Sequence, residues 1–423
     1  MAHPVPFIDD TLPGSLPAVR AAALKRWRDT GLPGPAVEAW KYTNLETLGQ
    51  MGLVAAAGTV TARVPEADVA AVDGYRAVFV NGRFDGAQSR LDGLPRGVTV
   101  EPLSALIARD AAAAEAALGA LDALPMAALN AAFATDGLVL RVARGAVFDK
   151  PLHVISIGAS DGSQVPAFHP RHLIRLEADA VATVVESHVG TGAYLANSVT
   201  DVALERGAAL KHYALQNEAA EAYHVGAVRL SLADRASYEG FGLQVGARLA
   251  RRELRATIDG SDVECRMNGL YLAAGTQHLD NTTAIDHARP GSRSRQLFKG
   301  VLDDAARGVF QGRVLVRPDA QKTDAHQLSR ALLLSRKAEM DGKPELEIYA
   351  DDVRCSHGAT IGNLDQEPMF YLRSRGIDEQ TAYRMLVEAF AIEAIDEISA
   401  VPVREAFAAR VTGWLAGRRT GAA

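Results

Sequence analysis

The residues best suited to hold a metal lie close together in Ala350-Asp351-Asp352-Val353-Arg354-Cys355-Ser356-His357-Gly358-Ala359-Thr360. On an extended strand, Cys355 and His357 leave the same face with about 7 Å between their backbone positions. A helix would turn them away from each other. A thiolate and an imidazole facing one way suit iron, zinc or an iron–sulfur cluster. Two donors fill half of a four-coordinate shell, so a complete site needs donors from elsewhere in the chain or from another subunit. The same residues also suit a plainer arrangement, with Cys355 as a small buried apolar side chain and His357 hydrogen-bonded at the surface.

No other catalytic signature is present. There is no G-x-x-x-x-G-K-[ST] loop, which excludes a P-loop nucleotide site. The glycines Gly240, Gly242 and Gly246 have one spacer residue too many for a dinucleotide fingerprint. H-E-x-x-H, G-x-S-x-G and paired C-x-x-C are all missing. The second cysteine, Cys265, falls in a strand-like run and reads as core; His169 and His172 are merely close in a turn-like segment. The chain is expected to be non-enzymatic.

Composition narrows the class further. The 423 residues are 48% hydrophobic and 23% charged, with a net charge of −6. That is an ordinary globular balance, and without a basic stripe nucleic acid is not an expected partner. No run approaches the roughly 18 apolar residues that cross a bilayer. The opening residues lack a basic segment followed by an apolar one, so no secretion signal is read there. With only 2 cysteines there is no disulfide framework, and a reducing cytoplasm is expected.

The elements that must position Cys355 and His357 are legible as texture. Residues 1–135 read as a mainly helical region carrying one small hairpin. A helix from Pro17 stops at Gly31-Leu32-Pro33-Gly34-Pro35, and helical spacing is read to about residue 70. The hairpin is Ala77–Phe84, turning at Asn81-Gly82, and the alanine-rich stretch 101–134 reads as one or two helices punctuated by Pro125. Residues 136–364 are strand-like, with short alternating runs separated by Gly, Asp and Asn.

Within this stretch Leu176-Glu-Ala-Asp-Ala180, Leu204-Glu-Arg-Gly-Ala208, Leu232-Ala-Asp-Arg-Ala236 and Ile258-Asp-Gly-Ser-Asp262 recur at intervals of 28, 28 and 26 residues (204 − 176, 232 − 204, 258 − 232). Thr200, Val202 and Leu204 match Val228, Leu230 and Leu232, then Leu254, Ala256 and Ile258, with mostly polar residues between. Equivalent turns at near-equal intervals predict a β-solenoid, each coil stacking on the next; a β-sandwich is the alternative. His188, Gln216 and Gln244 share one offset, which predicts a polar column, either a hydrogen-bonded ladder or a ligand row. Residues 365–423 turn helical again. Asp378 caps a helix with Ala382, Met385, Leu386, Ala389, Phe390 and Ile395 on one broad face. A second helix starts near Pro402 with Phe407, Val411 and Leu415.

Four stretches together resemble the SufB/SufD family of iron–sulfur assembly proteins. Glu38-Ala-Trp-Lys-Tyr-Thr-Asn-Leu45 resembles E-x-W-[KR]-Y-T-x-L; Phe310-Gln311-Gly312 with Gln321-Lys-Thr-Asp-Ala325 resembles F-x-G…Q-x-T-D-A. Glu347 through His357 to Gly362 resembles E-I-Y-A-D-D-V-x-C-S-H-G-A-T-x-G, and Phe370-Tyr-Leu-Arg-Ser-Arg-Gly-Ile377 resembles F-Y-L-R-S-R-G-I. Ser356 and Gly358, in place of the acidic C-E-H-E-A of the SufB branch, make the chain similar to SufD.

The resemblance implies a right-handed parallel β-helix with helical regions at each end, pairing with a SufB-like subunit and a SufC-like ABC-type ATPase. A homodimer is the alternative for the isolated chain. It implies no tightly bound cofactor, but iron or a transient iron–sulfur cluster at the subunit junction, with His357 and Cys355 as ligands. It further implies ATPase docking on the terminal helices through Phe370, Tyr371, Arg373, Arg375, Gly376, Met385 and Phe390. A structural solenoid that binds a partner without any metal role is the rival expectation.

Overall fold

The protein is described from a computed structural model covering residues 14–56, 60–119 and 124–417. The opening residues 1–13, read above for a secretion signal, lie outside the described residues.

Two sheets, of 11 and 10 strands, run through Leu138–Gly362, with four of their strands supplied by the preceding region. From Arg171 on, each strand pairs in parallel with the strand two places on, so the chain winds through about seven coils. The expected register is present. Leu176, Leu204, Leu232 and Ile258 stand one above another and are at most 2% exposed. Residues between them face outward and pair across coils: Asp201 holds Arg171 at 2.6 Å and Arg229 at 2.5 Å. Parallel pairing of every second strand excludes the sandwich.

The repeating turns have a stereochemical cause. Asp179, Gly207, Arg235 and Asp262 follow the stacked apolar residues and all have positive φ, at 60°, 70°, 56° and 56°. This conformation costs most side chains about 1–2 kcal/mol, and Gly and Asp adopt it most readily. Inter-coil hydrogen bonds offset the cost: the N–H groups of Asp179, Gly207 and Arg235 donate to Arg206 O, Asp234 O and Ser261 O at 2.8–2.9 Å. A Cβ on Gly207 would also meet Asp179 Oδ1 at 2.3 Å.

The polar column forms in register, but not as a ladder. His188 lies 3.0 Å from Glu186, Gln216 donates to Glu218 at 3.0 Å, and Gln244 accepts from Asn281 at 2.6 Å. For His188 and Gln216 a buried carboxylate is a stronger partner than a neutral amide on the next coil. The near-fingerprint glycines Gly240 and Gly242 lie in the strand Ser237–Gln244, not in a loop. His172 likewise belongs to the strand Arg171–Leu176, where Nδ1 accepts the Leu138 N–H at 2.9 Å.

The amino-terminal region is less helical than its spacing predicts. A helix covers Pro17–Thr30, and beyond Pro33-Gly34-Pro35 only single 3-10 turns (Glu38–Trp40, Glu46–Gln50) and the strand Leu53–Ala55 follow, as proline and glycine there dictate. The hairpin is present, with Asn81 and Gly82 both at positive φ, as its twist requires. The alanine-rich stretch divides into helices Leu103–Arg109, Ala111–Leu118 and Pro125–Phe133, the last opened by Pro125.

The 38–45 segment straps this region to the solenoid. Trp40 stacks 3.9 Å from the Arg251 guanidinium, whose Nη2 donates to Ala39 O at 2.8 Å. Arg251 Nη1 holds Asp280 at 2.5 Å, both side chains being fully buried. Thr43 Oγ1 also donates to Asp280 and lies 2.9 Å from His278 Nε2, while Glu38 pairs with Lys343.

At the other end, helices Gln366–Ser374, Glu379–Ile395 and Val401–Ala416 lie against the outer flank of the 10-stranded sheet. Phe407, Val411 and Leu415 are buried, with the Phe407 ring 6.1 Å from Phe241. The second helix buries Ala382, Val387, Ala391, Ala394 and Ile395 rather than the full predicted face; Met385 and Ala389 point to solvent. It meets the sheet along one edge, where buried Lys299 donates to Phe390 O at 2.9 Å and to Glu393 at 2.5 Å.

Candidate functional site at the open end of the solenoid

Cys355 and His357 lie on Arg354–Gly362, the last strand of the 10-stranded sheet. It pairs on one side only, with Asp324–Leu333, setting Cys355 beside Ala325 and His357 beside Gln327. Ala325 and Gln327 are buried, at 0% and 2% exposure, so this face is the coil interior. Cys355, His357, Ala359 and Ile361 therefore share the inward face. His357 is nonetheless exposed, and Ile361 is 47% exposed. Inward-facing residues open to solvent mean that the stack ends here without a further coil.

The companion strand Glu339–Ile348 closes the same coil and also pairs on one side only. Its inward Leu346 and Ile348 stand beside buried Val314 and Val316, yet Ile348 is 40% exposed. The solenoid thus presents two unpaired strand edges around an apolar mouth holding one thiol and one imidazole. Natural sheet edges are usually blunted or covered. Pro344, tolerated because the strand is an edge, and the charged Lys343, Glu345 and Glu347 blunt this edge in part.

Cys355 is half-buried against Val353, Ala350 and Ala325. Burial pushes its thiol above the ordinary value, Asp324 adds to this, and the Ala325 backbone hydrogen bond only partly opposes it. The thiol is protonated at neutral pH, so a metal must displace its proton. Cys265 is core, as expected: it is 1% exposed, and burial pushes its thiol up to about 12. Among the described residues no group of three or more His, Cys, Asp or Glu side chains is arranged to hold a metal. Cys355 and His357 are two potential donors, fewer than a four-coordinate shell needs.

The docking residues expected on the terminal helices divide into two sets. Phe370 is 75% exposed, Tyr371 57% and Met385 44%. Arg375 lies over the Tyr371 ring at 5.1 Å, and Arg373 pairs with Glu379 at 3.3 Å. Gly376 ends the first helix at φ 86°; its N–H bonds Arg373 O and that of Ile377 bonds Leu372 O, a Schellman stop. Phe390 is different. It is half-buried beneath Lys299, 4.4 Å from its ring, and helps fix the helix to the solenoid.

Comparison with known proteins agrees with this architecture. Residues 157–390 match the family described as SUF system FeS cluster assembly, SufBD core domain, and residues 6–154 match the SufBD protein N-terminal region. The chain belongs to the SufBD family of iron–sulfur cluster assembly proteins. It is similar to the iron–sulfur cluster assembly protein SufD of Escherichia coli, with 33% identity over 392 residues covering 92% of this chain and 90% of the relative. A SufBD family protein of Synechocystis is 32% identical over 387 residues, covering 87% and 84%. The chloroplastic protein ABCI7 of Arabidopsis thaliana is 32% identical over 295 residues, covering 68% and 62%. Among the described residues no helix of this SufBD chain is long and apolar enough to cross a membrane.

Spacing alone had no signal for the exposure of the mouth. The alternation puts Cys355 and His357 on one face, but that this face opens to solvent depends on where the stack stops.

Proposed function

We propose that this chain is a SufD-like, non-catalytic scaffold subunit, working in the cytoplasm with a SufB-like subunit and a SufC-like ATPase. The observation carrying this reading is the open terminal coil: two unpaired edges framing the inward-facing Cys355 and His357. A SufB-like partner adding strands to both edges would cover the apolar mouth and supply the missing donors. Iron or a nascent cluster, the cargo of assembly, would then be held by His357, with Cys355 as the second donor once deprotonated.

The ATPase would dock on the exposed side chains Phe370, Tyr371 and Met385. Nucleotide-driven approach of two ATPase subunits would strain the junction and open the composite site, provided nucleotide favours one junction state over the other.

Hydrogen exchange tests both contacts. Adding the SufB-like subunit should slow exchange in Glu339–Ile348 and Arg354–Gly362, and adding the ATPase should protect Gln366–Ser374 and the Met385 turn. Binding of either partner without protection at its assigned surface would refute that assignment. Complex formation in which no iron or cluster is ever held would favour the structural solenoid instead.

A further inference from the structure

A histidine that binds metal does so through one ring nitrogen. Its other N–H almost always meets a carboxylate, a carbonyl or a water, which fixes the ring and its tautomer. The inward face of the last coil offers His357 few such partners. Bordering it on that face are Cys355 and Ala359 in its own strand, and Ala325, Gln327 and Ser329 in the next. Gln327 stands directly beside His357 in the register, with about 4.8 Å between the strands.

Gln327 is 2% exposed, yet neither its Nε2 nor its Oε1 has a hydrogen-bond partner among the described residues. Buried polar groups in that state are rare. The fold also makes room for this amide. It reaches across the coil to Gly312, where a Cβ would meet Nε2 at 2.0 Å and the amide carbon at 2.6 Å. Only glycine at 312 admits it, which gives the glycine of Phe310-Gln311-Gly312 a physical reason.

The preceding coil continues the row. Gln296 is in register with Gln327, is 4% exposed, and accepts the Thr283 hydroxyl at Oε1 over 2.6 Å. Its Nε2 is unpartnered. Water from the open mouth serves these amides while the coil is uncovered. Once a partner strand covers the mouth, the polar neighbours that this chain itself sets in register with Gln327 are Gln296 and His357. Gln296 has already given its acceptor to Thr283. An amide offers both a donor and an acceptor, so Gln327 can serve His357 as well.

We propose that Gln327 is a positioning residue for His357, a role that rests on the reading of His357 as a cargo ligand. Gln327 Oε1 accepts the N–H of one His357 ring nitrogen and leaves the lone pair of the other for iron or a nascent cluster. Gln327 itself touches no cargo. The bond is absent from the open coil, where the His357 ring is exposed and Gln327 has no partner. It forms when the covering partner turns that ring inward. What selects His357 is its place in the register and on the shared face, with the far side of the amide closed by Gly312.

A structure of the full chain in complex with a SufB-like subunit and ATPase gives the first readout, which needs no bound cargo. A Gln327 amide within about 3.2 Å of a His357 ring nitrogen is expected; an amide met only by water or by Gln296 would overturn the proposal. The second readout compares Gln327→Met and Gln327→Glu in the same complex. Methionine fills the space without hydrogen-bonding partners, and glutamate keeps an acceptor oxygen. Gln327→Met is expected to keep wild-type stability, since the free chain loses no hydrogen bond, and to weaken ferrous-iron binding by about 10–100-fold. Gln327→Glu is expected to restore most of it. Pulsed EPR of the reduced, reconstituted cluster should show the quadrupole coupling of the remote imidazole nitrogen shifted in Gln327→Met and recovered in Gln327→Glu. Unchanged iron affinity and coupling in Gln327→Met would overturn the proposal. His357→Ala separates the two claims: iron lost there but kept in Gln327→Met removes only the role of Gln327, whereas iron kept in His357→Ala removes the cargo reading and this proposal with it.

Discussion

Replacing Arg251 with methionine is the sharpest perturbation of the strap that joins the amino-terminal region to the coils. It keeps roughly the unbranched stem of the side chain but strands Asp280, which has no exposed side-chain surface, as a buried carboxylate. Breaking a buried pair from one side costs about 3–5 kcal/mol. Here the lower end, about 3 kcal/mol, is expected, because the hydroxyls of Thr43 and Thr282 still donate to Asp280. Trp40 also loses its guanidinium partner, worth about 1–2 kcal/mol when desolvated.

The double substitution Arg251→Met with Asp280→Leu removes both charges and is expected to recover about 2 kcal/mol. A chain of this length need not unfold in one step, so the readout is hydrogen exchange over residues 38–45, which reports the opening free energy of the strap itself. A loss below about 1 kcal/mol in Arg251→Met, or a double variant as unstable as the sum of its singles, would refute the reasoning about this pair.

Further outcomes follow from the titrating groups. Burial lowers His153, His169, His172 and His287 each to about 4, against an unfolded value near 6.5. Between those values the unfolded chain binds more protons, so stability is complete above pH ~6.5 and falls as pH drops towards ~4, by on the order of 2–3 kcal/mol per histidine. Urea midpoints that stay flat across that window would contradict the burial of these rings. At pH 8 an alkylating reagent should label Cys355 more slowly than a free thiol and leave Cys265 untouched until unfolding; fast labelling of Cys265 would be inconsistent with its place in the core. A Phe370→Asp, Met385→Asp variant should keep wild-type stability, since both side chains are exposed, and should lose ATPase co-purification; undiminished binding would place the dock elsewhere.

The solenoid was legible because its turns repeat a stereochemical demand. A residue at positive φ after each stacked apolar position leaves Asp or Gly at 179, 207 and 262, and strand alternation fixes which side chains face inward. The shared face of Cys355 and His357 followed from the same alternation. The strap was legible only as a motif. Its partners Arg251, Asp280, His278 and Lys343 lie more than 200 residues away, and no local pattern couples Trp40 to them. The helical reading to residue 70 failed because beyond Pro33-Gly34-Pro35 the chain forms only short 3-10 turns and the strand Leu53–Ala55. Met385 and Ala389 share the broad apolar face read from periodicity, yet both are exposed, because periodicity shows a stripe and not how wide a neighbour covers it. Of the polar centre in the middle coils only His188, Gln216 and Gln244, at one offset, were visible, because Arg252 comes from a strand of the other sheet.

The claim that the terminal coil is half of a shared assembly site is tested most directly by anaerobic reconstitution with iron and sulfide, followed by absorption and Mössbauer spectroscopy. Three samples suffice: the isolated chain, its complex with a SufB-like subunit and ATPase, and the same complex carrying His357→Ala. The expected result is a cluster signature in the wild-type complex alone, with His357→Ala forming an intact complex that holds little or no cluster. A full cluster yield in the His357→Ala complex, or in the isolated chain, would contradict the account.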